Sequence, residues 1–300
     1  MSDSKSRTMS TPLLDIGIEE HGSASHPALV LLHGWPDDVR TWDALVDDLT
    51  GAGFRVIVPY LRGFGPTRFH STSTRRSGQL TALAADLFAL LDALGVERFA
   101  VIGHDWGARA AYIAAALRPQ RVRACAAISV GWGTNGRDQA LSFLQTQHYW
   151  YQWLIGTPRG ENIVHTDRRA FTRHLWDLWN PERAISDTEF ARTAASFDTP
   201  DWAEITVHSY RVRWGGADPD PAYADAEAAV VSVPHIAVPT LTLHGGADPA
   251  SLPETSAGRD DLFDAVYRRV VLDDLGHFPQ RIAPQRVLDE IVPFVDRHGR

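Results

Sequence analysis

From residue 28 to residue 129 the chain alternates short apolar runs with helical patterns. The apolar runs cover 28–32, 54–58, 99–102 and 122–129, and the helical patterns between them cover 39–49, 79–94 and 108–117. Two neighbouring parallel strands cannot be joined by a tight turn; they need a crossover of a dozen or more residues, usually a helix. Apart from Arg55, Arg123 and Ser129 the runs are apolar, without a sustained apolar/polar alternation, which predicts strands buried on both faces. The expectation is an α/β protein with a mostly parallel sheet flanked by helices. The pattern breaks at Gly131-Trp132-Gly133-Thr134-Asn135-Gly136. Trp, Tyr and His then crowd into 145–153, and helical stretches follow over 168–179 and 188–196. Strand-like runs return at 239–243 and 267–272, before a last helix over 285–297. The simplest organisation is one sheet domain, 1–133 and 235–300, interrupted by a mostly helical insertion over 134–234.

Composition excludes several classes of function. With 37 acidic and 29 basic residues scattered along 300, the formal charge is -8, and no basic stripe is available for a nucleic-acid backbone. Lys5 is the only lysine, and its place in a terminus expected to be frayed removes Schiff-base chemistry. The single cysteine, Cys125, lies in a buried apolar run and reads as packing. Residues 1–10 are polar and carry no apolar targeting core, and the longest apolar run, 110–117, is too short to cross a bilayer. A soluble, cytoplasmic protein without membrane association is expected. No cysteine-histidine cluster suggests a metal, and no cofactor is expected.

Chemistry concentrates at three junctions. At the first, Val101-Ile102-Gly103-His104-Asp105-Trp106-Gly107 stands where a strand gives way to a helix. The spacing is that of a nucleophile elbow, Gly-x-nucleophile-x-Gly, with Asp105 in the place of the usual serine. The competing reading is a loop whose aspartate caps the next helix, a common arrangement. At the second, His33-Gly34-Trp35-Pro36 follows the strand over 28–32. This is where an elbow-bearing sheet places the loop that completes an oxyanion hole, so the amides of Trp35 and Trp106 are its candidate donors. At the third, Leu275-Gly276-His277-Phe278-Pro279 follows the strand over 267–272, and Asp248 follows the strand over 239–243. The chain order Asp105, Asp248, His277 is nucleophile, acid, histidine. The competing reading of Asp248 is a turn aspartate ahead of Pro249, a common arrangement. An acid after the strand leading into the insertion is the other position open to this order, but residues 125–137 contain neither Asp nor Glu.

Together these motifs resemble the epoxide-hydrolase and haloalkane-dehalogenase branch of the α/β-hydrolase superfamily, over nearly the whole chain from Leu13 to Arg297. Pro59-Tyr60-Leu61-Arg62-Gly63-Phe64-Gly65 is similar to the family's Pro-Asp-x-Arg-Gly-x-Gly loop, with Tyr60 where Asp is usual. The resemblance implies a helical cap domain and a small-molecule organic substrate. It also implies two cap tyrosines that hydrogen-bond an epoxide oxygen, and Tyr151 in Trp150-Tyr151-Gln152-Trp153 and Tyr210 in Ser209-Tyr210-Arg211 fall in similar contexts. Tyr149 is a substitute for Tyr151, and either ring could simply be cap core. His33, His104, Trp150 and Arg109 flank these positions and are expected to contact substrate. An ionised carboxylate attacks an sp³ carbon without a base, so the implied route is an alkyl ester on Asp105. Water activated by His277, itself oriented by Asp248, then hydrolyses that ester. Three rivals stand beside it. A haloalkane dehalogenase would hold halide with Trp35, Trp106 or Trp150. A haloacetate dehalogenase would use Arg109, although Trp106 stands where that family has a second arginine. The third is a non-catalytic binding protein of the same fold.

Overall fold

The computed structural model describes residues 5–134, 140–180, 185–233 and 235–300. Strands β1 (Lys5–Ser10) and β2 (Leu14–His21) pair antiparallel at the start of the chain. Lys5 thus belongs to a paired edge strand and not to a frayed end. Backbone hydrogen bonds hold β1, and its mostly polar side chains carried no signal of them. After β3 (Ala28–Leu32) the expected helix over 39–49 divides into a 3₁₀ turn at Val39–Trp42 and α1 (Val46–Gly51). Asp38 caps the turn through the Arg40 amide, and the division lets Val39, Trp42, Leu45 and Leu49 all face the core. The chain continues through β4 (Arg55–Pro59), β5 (Arg68–Phe69), α2 (Leu80–Ala93), β6 (Phe99–His104), α3 (Trp106–Leu117) and β7 (Val122–Ile128).

Next come α4 (Phe143–His148), α5 (Trp150–Gly156), α6 (Pro158–Thr166), α7 (Arg168–Trp179), α8 (Asp187–Ala194), α9 (Trp202–Arg213) and α10 (Ala224–Ser232). Ser142, Thr157 and Ser186 cap α4, α6 and α8 through side-chain oxygens, which explains why short helices start where they do. The sheet then resumes with β8 (Thr240–Gly245) and β9 (Tyr267–Leu272), followed by α11 (Pro279–Ile282) and α12 (Pro284–His298).

Among the described residues the strands form one sheet in the order β1-β2-β4-β3-β6-β7-β8-β9, with β5 beside β2. From β4 to β9 along that order the pairing is parallel. Alternate residues feed opposite faces. Val30, Leu32, Val101, Cys125 and Ala127 join the core shared with α2, α3 and the inserted helices. Leu29, Leu31, Ala100, Ile102, Ala124 and Ala126 join the core under α1 and α12. Cys125 is fully buried, as its apolar run implies.

This topology brings the carboxyl ends of β3, β6, β8 and β9 to one edge, where ligand sites of open α/β sheets form. The helices between β7 and β8 close over that edge. The Trp176 indole donates to the Pro36 carbonyl at 2.8 Å, and the Trp35 indole donates to Thr206 at 2.9 Å. Arg281, buried beyond β9, pairs with Asp37 on one side and with Glu189 of α8 on the other. Among the described residues no helix is long and apolar enough to cross a membrane.

Candidate active site

Asp105 occupies the turn between β6 and α3 with φ 49° and ψ −112°. A side chain with a positive φ of this kind costs about 1–3 kcal/mol and persists only where its surroundings over-determine it. Here they do. The Asp105 amide donates to the Ile128 carbonyl at 3.2 Å, and the Arg109 amide donates to the Asp105 carbonyl at 3.0 Å. Packing is too close for any side chain at two neighbours: a Cβ on Gly107 would meet the Leu32 carbonyl oxygen at 2.1 Å, and one on Gly34 would meet the Asp105 Cβ at 2.6 Å. The Asp105 carboxylate makes no capping bond to α3. Its Oδ1 instead accepts the Trp35 amide at 2.9 Å, which sets the helix-cap reading aside. The Trp106 amide stands at the first position of α3, where a backbone N–H has no partner within its own helix.

His277 and Asp248 arrive from the ends of β9 and β8. His277 Nδ1 donates to Asp248 Oδ2 at 2.8 Å, and His277 Nε2 lies 4.0 Å from Asp105 Oδ2. The other Asp248 oxygen accepts the Ala250 and Ser251 amides at 2.8 and 3.1 Å. Burial alone would raise the Asp248 pKa, but the facing imidazoles of His277 and His244 hold it below the usual carboxylate range. For His277 burial acts downward, and the Asp248 charge and hydrogen bond outweigh it, raising the imidazole above its ordinary value. The two carboxylates are therefore unequal. The Asp248 side chain is wholly buried, whereas that of Asp105 keeps 14% of its surface exposed. Of the two, only Asp105 keeps side-chain surface within reach of another molecule.

Tyr151 and Tyr210 come together from α5 and α9, with ring centroids 5.8 Å apart. Tyr151 stacks on the Trp35 indole at 5.8 Å and Tyr210 meets it edge-on at 5.2 Å, so both phenols border the loop whose amide holds Asp105. Burial and the nearby Asp105 charge raise the Tyr151 pKa, and burial with the neighbouring Tyr151 raises that of Tyr210. Both stay protonated as possible donors. Trp179 lies against Tyr151 and His277, with centroids 5.0 Å from each, and its carbonyl accepts the His277 amide at 3.0 Å.

The structure reassigns other candidates. His33 accepts the Leu61 amide at Nε2 and donates from Nδ1 to the Gly34 carbonyl. His104 donates from Nε2 to the His277 carbonyl at 2.8 Å, and Ser129 donates to that same oxygen. Both rings are fully buried, and burial pushes both down to about 4. They are neutral struts between loops, in place of the substrate contacts expected. Trp150 is 36% exposed and packs against Phe171, His174 and the edge of Tyr151. Arg109 is buried and donates to Thr134 at 2.8 Å, and burial lowers its pKa. Tyr60 donates to Glu19 of β2 and shields Gly65 with its ring. Sequence reasoning missed Gln152, Trp179, Arg213 and His244. Gln152 stood beside a candidate, and His244 and Arg213 lie within four residues of Asp248 and Tyr210, but nothing in the sequence says that their side chains turn toward them; Trp179 sits on a segment with no motif.

Comparison with known proteins agrees with this architecture. A family profile for the alpha/beta hydrolase fold matches residues 27–284. Epoxide hydrolase A of Mycobacterium tuberculosis is 34% identical over 312 aligned positions, covering 96% of this chain and 96% of the relative. An epoxide hydrolase of Caballeronia sordidicola is 27% identical over 320 positions, covering 97% of this chain and 93% of the relative. A crystal structure from Klebsiella pneumoniae, of a protein assigned as an epoxide hydrolase, superposes with a TM-score of 0.92 at 37% identity, over 98% of this chain and 97% of that one.

Proposed function

The chain belongs to the epoxide hydrolase-like branch of the α/β-hydrolase family, and we propose that it hydrolyses epoxides to vicinal diols through a covalent ester on Asp105. The observation that carries this reading is the pair of protonated phenols, Tyr151 and Tyr210, beside a carboxylate that an amide already holds by one oxygen. With Oδ1 bound by Trp35, Oδ2 is the oxygen that attacks an epoxide carbon. The ring C–O bond breaks as the new Oδ2–C bond forms, and a phenol passes its hydrogen to the departing oxygen. The residues of 134–234 act as the cap that brings the phenols over the nucleophile.

His277 Nε2 has no hydrogen-bond partner among the described residues, which suits a base. It takes a proton from water as the hydroxide adds to the Asp105 carbonyl carbon. Charge then develops on Oδ1, where the Trp35 amide and the first-turn amide of Trp106 stabilise it. Collapse releases the Oδ2-bound alcohol, which receives the proton from His277. The remaining hydrogen of the water returns to the phenolate, so epoxide plus water balances to diol.

One observation favours a dehalogenase instead: the Trp106 indole N–H is buried beside the Tyr210 phenol and makes no hydrogen bond of good geometry among the described residues, as a halide donor would be. The Trp35 indole is committed to Thr206 and cannot complete a pair. The deciding experiment incubates the enzyme with parallel panels of epoxides, haloalkanes and haloacids, reading diol and halide. It is joined to intact-mass measurement of His277→Gln. Diol from epoxides and a substrate-mass adduct on the Asp105 peptide are expected. Halide release without diol refutes the epoxide reading, and a turnover-competent substrate that leaves no adduct on His277→Gln refutes the ester.

A further inference from the structure

Tyr151 can serve as a proton donor only if its own hydrogen is not already given to a neighbour, and the partner that decides this is Gln152. The side chain of Gln152 is buried, 3% exposed, with one end against the Tyr151 hydroxyl at 2.8 Å. Its other end meets the Trp214 indole nitrogen at 3.0 Å and Arg213 Nη1 at 3.5 Å. An amide's oxygen and nitrogen are distinguished by what they face. An indole N–H and a guanidinium can only donate, so the atom facing Trp214 and Arg213 is the oxygen. The NH₂ therefore faces Tyr151, and the phenol oxygen must accept. Once it accepts from Gln152, its own hydrogen is left for another acceptor.

We infer that Gln152 is a positioning residue for epoxide opening: by donating to the Tyr151 oxygen it leaves the phenol hydrogen directed at the oxygen of the opening ring. The inference rests on the proposed role of the phenols. Every donor in the chain points the same way, from Trp214 to Gln152, from Gln152 to Tyr151, and from Tyr151 to substrate, and aligned hydrogen bonds strengthen one another. The bond from Gln152 also stabilises the phenolate left after transfer, the direction in which it moves the Tyr151 pKa. Trp214 ends the helix that carries Tyr210, so one element sets both phenols.

Gln152→Glu tests this by reversing one end of the relay, since an ionised carboxylate keeps the acceptor for Trp214 but takes the Tyr151 hydrogen for itself. Single-turnover alkylation would be measured for the wild type, Tyr151→Phe, Gln152→Glu and the double variant, with ester hydrolysis followed separately. Gln152→Glu is expected to slow alkylation about 10- to 100-fold, to leave ester hydrolysis unchanged, and to add nothing in the Tyr151→Phe background. Its alkylation rate relative to wild type should also recover as pH falls, because a protonated Glu regains a donor. The titratable and charged groups around position 152 among the described residues are Arg213 and Tyr210 on α9, Arg109 on α3, Asp105 at the elbow, Tyr149 and Tyr151 beside it, and, toward the end of α5, the ion pair of Arg211 with Glu161 of α6. Division by the wild-type rate at each pH removes their shared titration. If Gln152→Glu does not fold, Gln152→Met replaces it, with slower alkylation expected and again no further loss with Tyr151→Phe. Slow Tyr151→Phe with normal position-152 variants, or losses that multiply in the double variant, overturns the inference alone. Unchanged alkylation in Tyr151→Phe overturns the phenol role and the inference with it.

Discussion

Replacing Asp248 by Asn tests the two half-reactions separately, because the surrounding hydrogen bonds dictate which way the new amide sits. Two backbone amides, of Ala250 and Ser251, point at Oδ1, so the Asn oxygen must take that side. Its NH₂ then faces His277 Nδ1, where the wild type has an acceptor at 2.8 Å. To avoid opposing two donors, the imidazole presents a lone pair at Nδ1 and carries its hydrogen on Nε2. That is the atom facing Asp105, and once protonated it cannot take a proton from water. The analogous change in a serine-protease triad costs about ten-thousandfold, or about 5.5 kcal/mol of barrier, and a loss of that order is expected in ester hydrolysis. Alkylation, which needs only the Asp105 carboxylate and the phenols, should change little, so the variant accumulates ester. Rapid-quench intact mass follows both steps. The pH profile supplies a second sign. His277 must be neutral to act, and the Asp248 charge raises its pKa. Wild-type hydrolysis should therefore rise with pH through a value raised from the ordinary histidine one, and the residual activity of Asp248→Asn should rise at lower pH. Hydrolysis within tenfold of wild type would refute the tautomer reasoning and point to another acid.

Tyr210→Phe keeps the ring packed against Trp35 and Trp106 and removes one donor. Alkylation by an epoxide should slow by about 2–4 kcal/mol by analogy with oxyanion donors, and the Tyr151→Phe/Tyr210→Phe double variant should be slower than either; full activity of the double variant on a halide, with no diol from any epoxide, would sink the epoxide assignment. Asp38, buried and beside Asp37, is pushed up to about 7 by burial first and by that neighbour second. An acid raised in the folded state loses stability as pH climbs from its unfolded pKa, near 4, to its folded one. Wild type should therefore fall behind Asp38→Asn by at most about 4 kcal/mol between pH 4 and 7, with no further change above. Urea unfolding at pH 4, 6 and 8 measures the difference, and a gap constant with pH would contradict the sign.

Local signals sufficed wherever one segment determined its own structure. The apolar runs at 28–32 and 99–102 could only be buried strands, and Gly103 and Gly107 around Asp105 marked a turn too tight for side chains. The order of Asp105, Asp248 and His277 followed from strand ends that the alternation itself predicted. Edge strand β1 escaped notice because backbone pairing holds it with polar side chains. His33 and His104 looked like substrate contacts because they adjoin the candidate oxyanion loop and the candidate nucleophile; only the fold shows their ring nitrogens facing Leu61 and His277, from distant segments.

By itself, then, the amino-acid order determined a parallel sheet, an interruption after β7 and a carboxylate in the elbow, because strand burial, crossover length and turn sterics act over a few adjacent residues. Tertiary structure alone decided how Tyr151 and Tyr210, 59 positions apart in sequence, reach the Trp35 loop, and which end of Gln152 faces the phenol. Those outcomes depend on donors and acceptors delivered by separate helices, and a hydrogen bond's direction is set only when both of its partners are in place.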